Sequence, residues 1–261
     1  MTKQPSTPRR VLITPTRWES RAVLKSLPGA LPEPGWDVPA WRVGDLLLVE
    51  PGMGPESAET LLPHVEPLEL QAMWIFGWCG GLMPELTVGD LVLADGTIFS
   101  DRVGGPVTRL PHPPPAPLVA QVRRLAEALG LRMVVGPVLT SDKVLATVEQ
   151  KRIGASTGAV AVEMEAGPLA RWAVARGVRF VHLRVVLDPV TSVLPSLCSP
   201  TDEHSDAPPH ALLLHTLTHP CEWSALWTLI RQARAARRAM EDVATVCLPS
   251  LQSSSRIEPL E

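Results

Sequence analysis

The feature that most constrains this chain is a succession of short apolar runs, each ending in glycines or polar residues and separated by helical segments. "RRVLITPT" reads as a buried strand entering the helix "RWESRAVLKSLPG", which stops at Pro28-Gly29. "WRVGDLLLVEPGMG" gives two strands around a Gly-Asp turn, and "PESAETLLPHV" a helix with Pro55 in its first turn. "QAMWIFGWCGG" is a strand running into a Gly-rich turn, and "VGDLVLADG" another strand. "PLVAQVRRLAEALG" is a helix closed by Gly130, followed by the strand "RMVVGPVLTSD". "AVAVEMEAGPLARWAVARGVRFVHLRVVLDPV" then supplies strand, helix and strand. Alternation of this kind specifies an α/β fold with a mixed, mostly parallel sheet covered by helices on both faces. Ligands of such sheets bind outside the carboxyl ends of the strands.

Polar residues gather at those ends: Thr14 to Glu19, Gly52 to Gly54, Gly77 to Gly81, Ser141-Asp142, Glu163 to Glu165, and Asp188. Any one of these turns is ordinary, since Gly-rich connections and capping Asp or Ser occur throughout α/β proteins. The carboxylates are different. Glu163, Glu165 and Asp188 sit at the ends of apolar strands, where an ionised group without a partner is costly to desolvate. Together they indicate a small-molecule pocket.

Composition narrows the partners. A net charge of −3 leaves no electrostatic footprint for nucleic acid. No apolar run approaches the ~18 residues of a membrane span, and "MTKQPSTPRR" has no apolar core of a secretion signal. Cys79, Cys198, Cys221 and Cys247 fit neither a disulfide framework nor a CxxC pair, so a cytoplasmic location is expected. His204, His210, His215 and His219 lie between Cys198 and Cys221, with irregular spacing to either cysteine. No metal and no cofactor are expected, and residues 190–220 read as a loop over the site. "GGPVTRLPHPPPAPL" reads as a surface loop rather than a polyproline ligand. The chain reads as one domain over 1–261, with a tail at 1–9 and a C-terminal helix at 222–248 whose Trp/Leu/Ile face packs on the sheet.

Three motifs, "EPGMGPESAETLL", "IFGWCGGLMPELTVGDLVLAD" and "VAVEMEAGPLARWAVARGVRFVHLRVVLDP", occur here in the order seen in the nucleoside phosphorylase and nucleosidase superfamily. Over roughly residues 10 to 190 the chain most resembles the branch holding methylthioadenosine/S-adenosylhomocysteine nucleosidase, futalosine hydrolase and the hopanoid-associated phosphorylases. The resemblance implies a three-layer α/β/α sandwich, a homodimer and cleavage of the bond between a purine-type base and ribose. It makes Asp188 the acid that protonates the departing base and Glu19 the group that positions the attacking water. Glu165 would accept hydrogen bonds from ribose hydroxyls, Met164 would pack beside the sugar, and Met53 would lie near the 5′ substituent. Val144 and Leu145 would contact the base through their backbone. Trp78 and Cys79 fall in the Gly-rich turn at the pocket. Glu163 could orient water or support the site, or equally serve as a helix cap or salt-bridge partner.

The chemistry agrees with these assignments. Breaking an N-glycosidic bond builds positive charge on the sugar and negative charge on the base, so it calls for an acid, a nucleophile and a firmly held sugar. One departure bears on the nucleophile. Where phosphorylases carry an arginine and a serine for phosphate, this chain has Ile75 and Trp78, and "LITPTRW" lacks a glycine-rich anion loop. Water is therefore the expected nucleophile. Phosphorolysis remains the alternative, with Arg17, Arg42 or Arg184 supplying the phosphate site, beside a nucleoside-binding protein without turnover. The indole of Trp78 would narrow the pocket or stack on the substrate.

Overall fold

The computed structural model describes residues 7–100, 106–195 and 223–253. The Cys/His-containing stretch 198–221 and most of the loop expected at 190–220 lie outside the described residues, as does most of the tail. Ten strands run β1 (Arg10–Ile13), β2 (Leu31–Pro32), β3 (Ala40–Val43), β4 (Leu46–Val49), β5 (Ala72–Gly81), β6 (Leu91–Ser100), β7 (Val107–Pro111), β8 (Met133–Thr140), β9 (Ala161–Glu163) and β10 (Arg179–Asp188). The helices are α1 (Arg17–Leu24), α2 (Pro55–Val65), α3 (Ala116–Leu129), α4 (Val148–Ala155), α5 (Ala166–Ala175) and α6 (Trp223–Ser253).

Period-2 alternation explains how one sheet serves two helical layers. On β1, Leu12 joins a cluster with Ala22 and Val23 of α1, Val122 of α3 and Met240 and Val243 of α6. Its neighbours Val11 and Ile13 join the opposite cluster with Leu61 and Val65 of α2 and Leu169 and Trp172 of α5. The protein is thus a mixed α/β fold with helices on two faces of its sheet.

The sheet departs from the expected mixed, mostly parallel central layer of a three-layer sandwich. From β5, one wing runs outward through β1, β4, β3 and β2. The other closes on itself, because β5 pairs with both β10 and β9, and these connect through β6 and β8. Five pairings are parallel and five antiparallel. Closure needs bending, and the register shifts between Val186 and Asp188 and between Ala94 and Thr97. Such irregularities bend a strand and re-aim its side chains. Small and aliphatic residues cluster there: Cys79, Leu86, Val92, Ala94, Val138, Ala161 and Val186.

Two local readings change as well. The "WCGG" segment is strand rather than turn, since β5 continues to Gly81. Part of the proline-rich stretch is also strand, for β7 pairs antiparallel with the end of β6. An edge position tolerates the prolines that hid it.

Candidate active site

The carboxyl end of β1 lies against Ile75 of β5 and those of β9 and β10 against its last residues, and the carboxylates collect along this strand. Glu19 enters first, from the opening turn of α1. Thr16 and Glu19 form a capping box, with the Thr16 N–H and hydroxyl donating to Oε2 at 2.7 and 2.6 Å. Its other oxygen, Oε1, accepts the Trp78 N–H at 2.7 Å. This fills three of about four acceptor positions of the carboxylate, leaving one on Oε1. Glu19 is only 3% exposed, and burial raises its pKa against the pull of Thr16, Arg184 and Trp78.

The strand β10 sends His182 and Arg184 to one face, opposite Ile75 and Gly77, and the register shift before Asp188 turns that acid toward Gly80. Arg184 is fully buried and is the hub of the site. Its Nη2 pairs with Glu163 in a short contact and with Glu165 at 3.3 Å, while Nη1 reaches the Trp78 carbonyl at 3.3 Å. Burial disfavours its charge, but Glu163, Glu165 and Glu19 more than offset this and hold the guanidinium protonated. Gly77 makes the approach possible. A Cβ there would lie 2.4 Å from Glu19 Oε1 and 2.7 Å from Arg184 Nη1. Behind Arg184, its Nε donates to His182 Nε2 at 2.9 Å, and His112 stands 6.3 Å from His182, bonded to Thr97. Burial keeps both imidazoles neutral, with His112 lowered to about 4.

Glu163 is engaged on every side. It accepts from the Thr140 hydroxyl at 2.5 Å and from the Glu165 and Ala166 N–H groups at the start of α5, besides Arg184. Its geometry is that of a support, leaving little capacity to bind substrate. Glu165, in contrast, accepts among the described residues only the Gly54 N–H at 3.0 Å and the longer Arg184 bond. The Gly54 amide reaches it because Gly54 has φ +92, a conformation that side-chain-bearing residues rarely adopt. Burial raises Glu165 to about 7; Arg184 opposes this and Glu163 reinforces it.

Asp188 ends β10 beside Gly80. Its Oδ2 is 2.5 Å from the ammonium of Lys151, a wholly buried residue of α4 that sequence reasoning missed. Burial lifts Asp188 to about 6, with Lys151 pulling the other way.

The remaining candidates divide. Met53 lies in the loop that touches Glu165 and is 65% exposed, and Met164 is half-buried beside Glu165. Val144 and Leu145 precede α4, with Leu145 packed against Leu82 and Val162 among other apolar residues. Cys79 is part of the apolar filling of the closed sheet, and burial pushes its thiol pKa up, so the thiol is inert. Trp78 requires a correction. Since Gly77 faces Glu19 and Arg184, its neighbour must face away, and the indole packs against the helix-facing cluster with Leu187. Only the backbone of Trp78 serves the site. The alternative phosphate donors fare no better: Arg17 is exposed, and Arg42 pairs with Glu33 on the outer wing of the sheet.

With this geometry in view, comparison with known proteins is decisive for the family. A model of the Phosphorylase superfamily matches residues 12–211. The chain belongs to that superfamily. The AMP nucleosidase of Escherichia coli (strain K12) is 30% identical over 164 residues, 55% of this chain and 32% of the relative. The futalosine hydrolase of Streptomyces coelicolor is 40% identical over 124 residues, 42% of this chain and 51% of the relative. The chain therefore spans about a third to about half of the length of these superfamily relatives. Among solved structures, the Helicobacter pylori 5′-methylthioadenosine/S-adenosylhomocysteine nucleosidase with butyl-thio-DADMe-Immucillin-A matches with a TM-score of 0.68 at 16% identity, covering 94% of this chain and 98% of that one. The native futalosine hydrolase of Helicobacter pylori matches at 0.64 and 17% identity, covering 90% and 97%. At such identities the likeness is one of fold.

Proposed function

We propose that this superfamily member is a nucleosidase that hydrolyses the N-glycosidic bond of a purine-type nucleoside with a modified, apolar 5′ group. The observation that carries the reading is the charge balance of the site. Its one guanidinium, Arg184, is enclosed by Glu163 and Glu165 with Glu19 beside it, so among the described residues the pocket offers no free guanidinium to an anion. A phosphate dianion would meet three carboxylates there, whereas water needs only a positioned base. The names of the relatives, a futalosine hydrolase and a methylthioadenosine nucleosidase, support hydrolysis.

In this mechanism, Glu165 accepts hydrogen bonds from the ribose hydroxyls and fixes the sugar. Asp188 gives its proton to a ring nitrogen of the base as the glycosidic bond breaks. A water held by the open acceptor position of Glu19 attacks the anomeric carbon and passes its proton to Glu19. The raised pKa of Glu19 suits a base that must take up a proton. Exposed Met53, beside Gly54, offers apolar contact to the 5′ group.

The test is product analysis with methylthioadenosine, futalosine, adenosine and AMP, in matched buffers with and without phosphate. Base release should proceed without phosphate, yield free sugar, and favour an apolar 5′ group over AMP. Strict phosphate dependence with a sugar 1-phosphate as product would replace hydrolysis by phosphorolysis.

A further inference from the structure

Lys151 is a buried cation that the proposed mechanism does not use. It has no exposed surface, although taking an ammonium out of water costs several kcal/mol unless it is fully paired. Here all three N–H donors have partners: Asp188 Oδ2 at 2.5 Å, the Pro189 carbonyl at 2.8 Å and the Ser192 carbonyl at 3.0 Å. Lys151 is delivered by the short helix α4, whose start is fixed by a capping box. The Thr147 hydroxyl accepts the Gln150 N–H at 3.1 Å, and the Gln150 side chain accepts the Thr147 N–H at 3.0 Å. The turn after β10 is tied to the same region, since the Leu194 N–H donates to the Ala146 carbonyl.

The consequence for Asp188 is directional. A carboxyl engaged through Oδ2 by an ammonium must carry its own proton on Oδ1. We propose that Lys151 is the positioning residue of this site, holding Asp188 by Oδ2 so that Oδ1 presents the proton to the substrate's base. This rests on the nucleosidase reading for the word "base", but the pairing itself does not. Other ionisable groups facing this region are the Cys79 thiol on β5 and, on β10 itself, Arg184, which is engaged by Glu163 and Glu165. Lys151 is thus the one cation in direct contact with Asp188 among the described residues.

An ammonium beside a carboxylate holds its pKa down by about 1–3 units. In Lys151→Met, therefore, the pH above which activity falls should move up by about 1–3 units. The plateau kcat should drop by about 10–100-fold as Oδ1 loses its aim, with KM within about threefold. Lys151→Arg, which keeps the charge, should leave that pH close to its wild-type position. Lys151→Gln, neutral but still a donor to the Pro189 carbonyl, should move it as Met does and serves if Met fails to fold.

The measurement pairs pH–rate profiles on methylthioadenosine with infrared titration of the Asp188 carboxyl, identified by its loss in Asp188→Asn. If wild type releases no base from any nucleoside, the nucleosidase reading fails while the titration still reports on Lys151. If the carboxyl titrates at the same pH in wild type, Lys151→Met and Lys151→Gln, the inference is overturned.

Discussion

Replacing Arg184 by Met keeps most of the side chain's volume and removes the one guanidinium of the site. In the folded protein Glu163 and Glu165 lose their ion pair, and Glu19 loses a nearby cation. Removing one partner of a buried pair typically costs about 3–5 kcal/mol. That penalty should depend on pH. Glu165 already stands at about 7 with Arg184 present, against 4.5 unfolded, and without Arg184 it must stand higher. A carboxyl raised in the folded state contributes stability that is present below its unfolded pKa and lost as pH rises through its folded pKa. Arg184→Met should therefore be least harmful near pH 5 and most harmful near pH 8, with Glu165 alone contributing a difference of up to about 1.4 kcal/mol, the one pH unit between 7 and 8. Urea unfolding at the two pH values measures this. Adding Glu163→Gln to Arg184→Met should recover part of the loss at pH 8, because it removes one of the stranded charges. Equal penalties at both pH values, or a double variant worse by the full cost of Glu163→Gln alone, would show that Arg184 does not neutralise this cluster.

Asp188→Asn keeps the shape of the acid but cannot deliver a proton; turnover should fall by about 10²–10⁴ while ligand binding, measured calorimetrically, stays within about tenfold. Glu165→Gln exchanges charge-assisted bonds to the ribose hydroxyls for weaker neutral ones, so its loss in kcat/KM should be much smaller on a 2′-deoxyribose substrate than on ribose. An equal loss on both sugars would count against the contact.

Much of the fold was legible because alternation of apolar residues fixes strands locally. The pair around Gly44-Asp45 became β3 and β4, and Pro55 opens α2 as its sequence position suggested. Closure of the sheet was not legible. It depends on β5 pairing with β9 and on β10 pairing with β6, contacts between segments far apart in sequence. The site shows the same division. Glu19, Glu163 and Glu165 gather around Arg184, whereas Asp188 lies with Lys151 beside Gly80. Trp78 was misread because its neighbour Gly77, not the indole, faces Arg184, and a one-residue change of register exchanges the two faces. The period-2 placement of His182 and Arg184 in "FVHLRVVLD" was available and would have set Arg184 on the face of Gly77, whereas the irregularity before Asp188 leaves no trace in the sequence. Lys151 left a weaker trace. The capping pattern of "TVEQ" announces its helix, but in "QKRIG" nothing separates the buried lysine from the arginine beside it, because its burial is set by where α4 docks.

The proposed nucleosidase reaction, with the roles proposed for Asp188 and Glu165, would ask opposite things of two buried acids. Asp188 must hold a proton to give to the base, whereas Glu165 must be ionised to accept from the ribose hydroxyls. In the empty site both lie near neutrality, Asp188 at about 6 and Glu165 at about 7, so the protein alone does not impose the productive arrangement. Substrate does. Ribose hydroxyls donate to Glu165 and favour its charged form, while a ring nitrogen that accepts from Asp188 favours the protonated form of that acid. Binding therefore draws the two pKa values apart in the useful direction. Arg184 and Lys151 set how far they must move, since each holds one of the acids low enough to be shifted by a few hydrogen bonds. A ligand lacking either the hydroxyls or the acceptor nitrogen would leave one acid in the wrong state. Discrimination between substrates is in this way tied to the same proton placement that drives the bond cleavage.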